Sequence, residues 1–168
     1  MSILGIDPGL SGGIVLLSTS GTILFKSPIP VLKLQGKKNK TVIDLPALYE
    51  MIKSLKEKTS CCYLEKVSSM PGQGVSSMFS FGHTFGVIEM SLVACQIPYV
   101  LVPPQTWCKE IHQGLSKDLD AKSRSMLIFK RLYPDVDLRA TERCSTPHLG
   151  MLDGLLIAEF GRRQAHEI

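Results

Sequence analysis

The stretch Ile3-Leu4-Gly5-Ile6-Asp7-Pro8-Gly9-Leu10-Ser11-Gly12-Gly13-Ile14-Val15-Leu16-Leu17 constrains the fold more than any other part of the chain. Two apolar runs of strand length flank a hinge rich in glycine and proline. Gly9, Gly12 and Gly13 permit a tight turn and let another backbone or a phosphate come close. Pro8 removes a backbone donor and ends the ladder directly after Asp7. The pattern predicts a hairpin that holds one carboxylate at the lip of a sheet. Asp-Pro-Gly is also an ordinary turn signal, so this stretch alone does not separate a turn from a site.

The remaining punctuation predicts the architecture. Thr22 to Lys26 reads as a third strand, antiparallel to its neighbour because the connection is short. Lys33 to Lys40 reads as a basic loop carrying four lysines, either a solvated loop or an arm against phosphates. Asp44 can cap a helix to about Lys58, with Leu48, Met51, Ile52 and Leu55 on one face. Ser60 to Glu65 is a short apolar strand that ends in an acid, as the first strand does. A long helix from about Val75 to Cys95 contains Gly82 and Gly86. Each costs about 1 kcal/mol of helix propensity, which predicts close packing or contact there. Pro98 to Val102 forms a further strand, and helices follow over Gln105–His112, Asp120–Tyr133 and Pro147 to about Arg163. The order predicts an α/β fold with a mixed five-stranded sheet, three antiparallel strands then parallel additions, flanked by helices.

A chain of 168 residues suits a single domain spanning 1–168. No apolar run approaches the ~20 residues needed to span a bilayer, and the N-terminus lacks the pattern of a secretory signal. Five cysteines without C-x-x-C pairs fit reduced, buried thiols. The expected location is cytoplasmic, or an organelle if a transit peptide is missing from this chain. A net charge of +4 permits a polyanionic partner without demanding one.

The last helix carries the most informative anomaly. Leu149, Leu152, Leu156 and Ile157 surround Asp153 at helical spacing, which places its carboxylate on the face that packs against the sheet. A charge there is costly unless it is paired or holds a metal; a buried arginine pair or a cap bond is the alternative. Gly150 and Gly154 leave room beside it, and His148 starts the same helix. Asp7, Glu65 and Asp153 together supply hard oxygen ligands, which suit Mg²⁺ or Mn²⁺ rather than structural zinc. Two such ions about 3.5–4 Å apart serve phosphodiester hydrolysis in known sites.

The chain resembles Holliday junction resolvases of the RuvC type, in the ribonuclease H-like superfamily, and is closer to their phage-like and chloroplast branch than to the standard bacterial enzyme. The carriers are Gly5-Ile6-Asp7-Pro8-Gly9, the strand ending in Glu65, Met70-Pro71-Gly72-Gln73-Gly74-Val75, Ser77-Met78-Phe79-Ser80-Phe81-Gly82 and Asp153-Gly154. The resemblance implies a ribonuclease H-like fold and hydrolysis of phosphodiesters at four-way DNA junctions, with Mg²⁺ or Mn²⁺ held by Asp7, Glu65, His148 and Asp153. Many members place the third ligand three residues before the last acid, where this chain has Gly150; the role passes to His148. Positions five apart lie about 140° apart around a helix, so His148 must reach in from the first turn. The resemblance also implies that Met70, Pro71 and Gln73 enter the junction. Phe79 and Phe81 become candidate stacking or wedge side chains, and Lys109 and Lys122 phosphate contacts.

The leading reading is therefore a metal-dependent endonuclease acting on branched DNA. A homodimer would match the two symmetric scissile phosphates of a junction. Two alternatives stay open: a junction-binding module without cleavage, and an actin-like phosphotransferase suggested by Asp7-x-Gly9-x-x-Gly12-Gly13. The chain is roughly half the length of such two-lobed enzymes and lacks a second glycine-rich hairpin.

Overall fold

A computed structural model describes residues 2–36, 39–66, 68, 72 and 74–165. The two opening apolar runs form β1 (Ser2–Asp7) and β2 (Gly13–Ser18), paired antiparallel with Ile3 opposite Leu17 and Asp7 opposite Gly13. β3 (Ile23–Pro28) pairs antiparallel with the other edge of β2. A small two-stranded sheet follows, β4 (Val31–Leu34) against β5 (Lys40–Ile43). Helix α1 (Leu45–Leu55) leads into β6 (Cys61–Glu65), and α2 (Val75–Ala94) leads into β7 (Tyr99–Val102). Both β6 and β7 join in parallel, giving the order β3-β2-β1-β6-β7. Helices α3 (Pro104–Ile111), α4 (Ala121–Leu132) and α5 (Leu149–Ala165) complete the chain. This is the expected mixed five-stranded sheet between helices.

Strand periodicity divides the core into two layers. Leu4, Ile6, Ile14, Leu16, Cys62 and Leu64 pack against α1 and α2 through Leu48, Ile52, Ile88 and Leu92. Ile3, Val15 and Leu17 pack on the other side with Trp107, Ile128, Leu152 and Leu156 from α3, α4 and α5. Asp44 and Asp120 cap α1 and α4, their carboxylates accepting from Ala47 N at 3.1 Å and Ser123 N at 3.0 Å.

Helix α5 lies directly on the β1–β2 hairpin because glycines line the seam. A Cβ on Gly5 would collide with the Gly154 carbonyl and the Ala158 amide. A backbone bridge joins Gly12 to Gly150. Farther along α5, the buried Glu159 accepts from Arg162 Nε at 2.7 Å, Arg163 Nε at 2.9 Å and Tyr133 Oη at 3.1 Å. These bonds hold its pKa below the ordinary carboxylate value despite burial. The cluster pins α5 to α4.

Three sequence expectations need correction. The basic segment from Lys33 to Lys40 is not a loop throughout: its ends belong to the β4–β5 hairpin, which Val31 and Ile43 anchor to the core. Lys37 and Lys38 lie outside the described residues. Gly82 and Gly86 are exposed on α2, and a Cβ on either would meet nothing. Their expected close packing is absent within the described residues. The last helix begins at Leu149 rather than Pro147, and Leu149 is itself exposed.

Candidate active site

Alternation along the strands aims two acids at the same helix. Leu4 and Ile6 face α1 and α2, so Ile3, Gly5 and Asp7 face α5. Cys62 and Leu64 likewise leave Cys61, Tyr63 and Glu65 on the α5 side. Ile6 pairs with Leu64 in the parallel ladder, which sets Asp7 and Glu65 side by side at the C-terminal ends of adjacent strands. Asp153 approaches from α5. Three elements far apart in sequence thus converge at one end of the sheet.

The electrostatics record that convergence. Burial pushes the Asp7 carboxyl from its ordinary 3.8 up to about 7, helped by repulsion from Glu65 and Asp153 and opposed by a hydrogen bond from the Gly9 backbone. Burial and the Glu65 charge carry Asp153 to about 6, with Lys122 pulling the other way. Glu65 is raised by burial, and Trp107 counteracts this by donating from Nε1 to Glu65 Oε1 at 2.9 Å. A cleft of about 470 Å³ opens over Asp7 and Asp153, lined also by Ser11, Lys122, Cys144 and His148.

No group of three or more His, Cys, Asp and Glu side chains is assembled closely enough to hold an ion among the described residues. The donor chemistry nevertheless fits a hard divalent cation. Burial and neighbouring acid charge raise both Asp7 and Asp153, with Glu65 acting on both and Asp153 on Asp7, and Lys122 opposes this only at Asp153, so a cation would offset the remaining repulsion.

His148 stands at the N-cap of α5. Its carbonyl accepts from Leu152 N at 3.0 Å and its Nδ1 accepts from Met151 N at 3.2 Å. That cap bond assigns the proton of the neutral ring to Nε2, and burial pushes the ring's pKa down, favouring the neutral form. The ring lines the acid cleft. A ligand role through Nε2 requires the other tautomer, and therefore loss of the cap bond.

The remaining expected contacts divide. Met70, Pro71 and Gln73 lie outside the described residues. Phe79 is 77% exposed on α2. Phe81 is half-buried and lines a groove of about 510 Å³ with Gly9, Ser11, Lys40 and Ser77. That groove shares Ser11 with the acid cleft. Lys122, near the start of α4, lines the acid cleft itself; Lys109 does not and faces a separate cleft between α3 and α4.

Trp107 is the residue that sequence reasoning missed. It is the only tryptophan in the chain, and a buried indole N–H needs an acceptor. That requirement was a readable signal, although nothing local to α3 pointed to Glu65 as the acceptor.

No family model matches the sequence, and no curated protein matches it. Solved structures do. The Thermus thermophilus RuvC structure aligns with a TM-score of 0.58 at 16% identity, covering 98% of this chain and 97% of that one. T. thermophilus RuvC in complex with a Holliday junction substrate aligns at 0.56 and 12% identity, over 99% and 96% of the two chains. The yeast mitochondrial Holliday junction resolvase Ydc2 aligns at 0.53 and 12% identity, covering 98% of this chain and 79% of that one. At these identities the likeness shows the fold: the chain has the ribonuclease H-like fold of RuvC.

Proposed function

We propose that this protein is a structure-selective endonuclease that resolves four-way DNA junctions by hydrolysing phosphodiester bonds. The observation that carries the reading is the convergence of Asp7, Glu65 and Asp153 at one end of the sheet, with Asp7 and Asp153 lining a cleft there, on a fold shared with junction resolvases. Water attacks phosphorus, one bridging P–O bond breaks, and a phosphate monoester and an alcohol result. Asp7, Glu65 and Asp153 would hold Mg²⁺ or Mn²⁺, with two ions per site and His148 joining if it gives up its cap. The bound cations would supply charge neutralisation at the phosphate and a more acidic water. Lys122 places a positive charge in the cleft where a scissile phosphate would sit. Trp107 fixes the orientation of Glu65. The chain acts as one nuclease domain over 1–168, and as a homodimer that presents two sites to the two symmetric strands of a junction.

Junction binding without cleavage is the second reading. The observation on its side is that the acids are not drawn together into an ion-holding group as they stand. Nicking of a synthetic four-way junction in Mn²⁺, compared with flaps and linear duplex, decides between them. We expect paired nicks on the junction alone, lost in Asp7→Asn while gel-shift affinity persists. Tight junction binding with no nicking under any divalent cation would establish the second reading, and ATP turnover without nicking would point to phosphotransfer instead.

A further inference from the structure

The cleft between α3 and α4 has the make-up of an anion site. It encloses about 680 Å³ and is lined by Lys109, His112, Lys117 and Arg124 among others. His112 is 5% exposed, with Nε2 3.0 Å from Ser125 Oγ. Its Nδ1 has no hydrogen-bond partner among the described residues, and neither does the buried Nε of Arg124. Buried polar atoms are almost always paired, and arginine Nε can only donate. When the Ser125 hydroxyl donates to Nε2, His112 Nδ1 carries its hydrogen and becomes a second unpaired donor beside the first. Glu110 also lines the cleft, but its Oε2 is engaged by Gln164 Nε2 at 3.0 Å. Two buried donors without partners on residues that line the cleft, with Lys109 and Lys117 exposed around it, suit a ligand that is both anionic and an acceptor.

The cleft adjoins the acid cluster. Cys108, another of its lining residues, has its thiol pushed up to about 11 by burial and by the charges of Glu65 and Asp153, with Arg124 opposing. Trp107 bridges the two regions: it donates to Glu65, and its ring meets the His112 ring edge-on at 6.0 Å.

We propose that the α3–α4 cleft is a phosphate subsite that seats a backbone phosphate of the bound nucleic acid, beside the phosphate taken by the acid cluster. This rests on the nuclease reading for its ligand, but not for its chemistry. His112 and Arg124 supply the buried donors, and Lys117 supplies charge at the rim.

Inorganic phosphate is the direct probe, because Trp107 is the only tryptophan and sits against His112. Wild type should show a saturable change in tryptophan fluorescence on titration with phosphate. Arg124→Gln should bind at least tenfold more weakly. Lys117→Ala, an exposed substitution without risk to folding, should weaken binding several-fold. In junction binding, each variant should lower the slope of log K against log salt by about one, and phosphate should compete with DNA. Absence of a saturable phosphate response in wild type overturns the subsite. A phosphate response with unchanged DNA slopes overturns its assignment to nucleic acid and leaves a free-phosphate site. Retained phosphate and DNA effects in a protein that never nicks junctions support the subsite while overturning the nuclease reading.

Discussion

Replacing Asp7 with asparagine should stabilise the protein in the absence of metal, and only at high pH. The Asp7 carboxyl moves from 3.8 to about 7 on folding, roughly three units, or about 4 kcal/mol at 1.36 kcal/mol per unit. The native state therefore binds more protons than the unfolded chain between about pH 4 and pH 7. Stability falls as pH rises through that window and is intact below it. Burial is the largest cause, with repulsion from Glu65 and Asp153 next. Asparagine removes the charge but keeps some desolvation cost, so a gain of about 1–3 kcal/mol at pH 8.5 is expected. At about 2–4 °C per kcal/mol for a chain of this size, the melting temperature should rise by several degrees. Thermal melts with chelator at pH 3.5 and pH 8.5 measure this: the two proteins should converge at the lower pH. Mn²⁺ should then stabilise wild type more than the variant, because the ion binds the native acids better than the unfolded chain. A variant that melts below wild type at pH 8.5, or differs from it equally at both pH values, would refute the reasoning.

Glu159→Gln should destabilise the fold by about 2–4 kcal/mol in denaturant melts, since it strips the countercharge from Arg162 and Arg163 around a buried position. Trp107→Phe removes the donor to Glu65, raising that carboxyl further; the acidic limb of the pH–rate profile for junction nicking should shift to higher pH. Phe79→Ala, at a 77% exposed site, should leave stability within about 0.5 kcal/mol. Junction cutting should nevertheless drop more than duplex affinity does, if Phe79 meets the bases.

Several local patterns were determined by the sequence, though the β4–β5 hairpin was not among them. The β1–β2 hairpin, the strand ending in Glu65 and the caps at Asp44 and Asp120 follow from periods of two and 3.6 and from turn chemistry within a few residues. The sequence also marked Asp153 as an odd carboxylate amid apolar neighbours, and Leu152, Leu156 and Ile157 are indeed buried around it. Propensity misled where tertiary context intervened. Gly82 and Gly86 look like packing glycines and are exposed, whereas the close approach occurs at Gly5, Gly12, Gly150 and Gly154. The bond from Trp107 to Glu65, the bond from Tyr133 to Glu159 and the unpaired donors of His112 and Arg124 were decided by tertiary structure alone. Each depends on how the helices settle on the sheet and on one another. Local periodicity gives the face on which a side chain stands; only packing gives the partner opposite it.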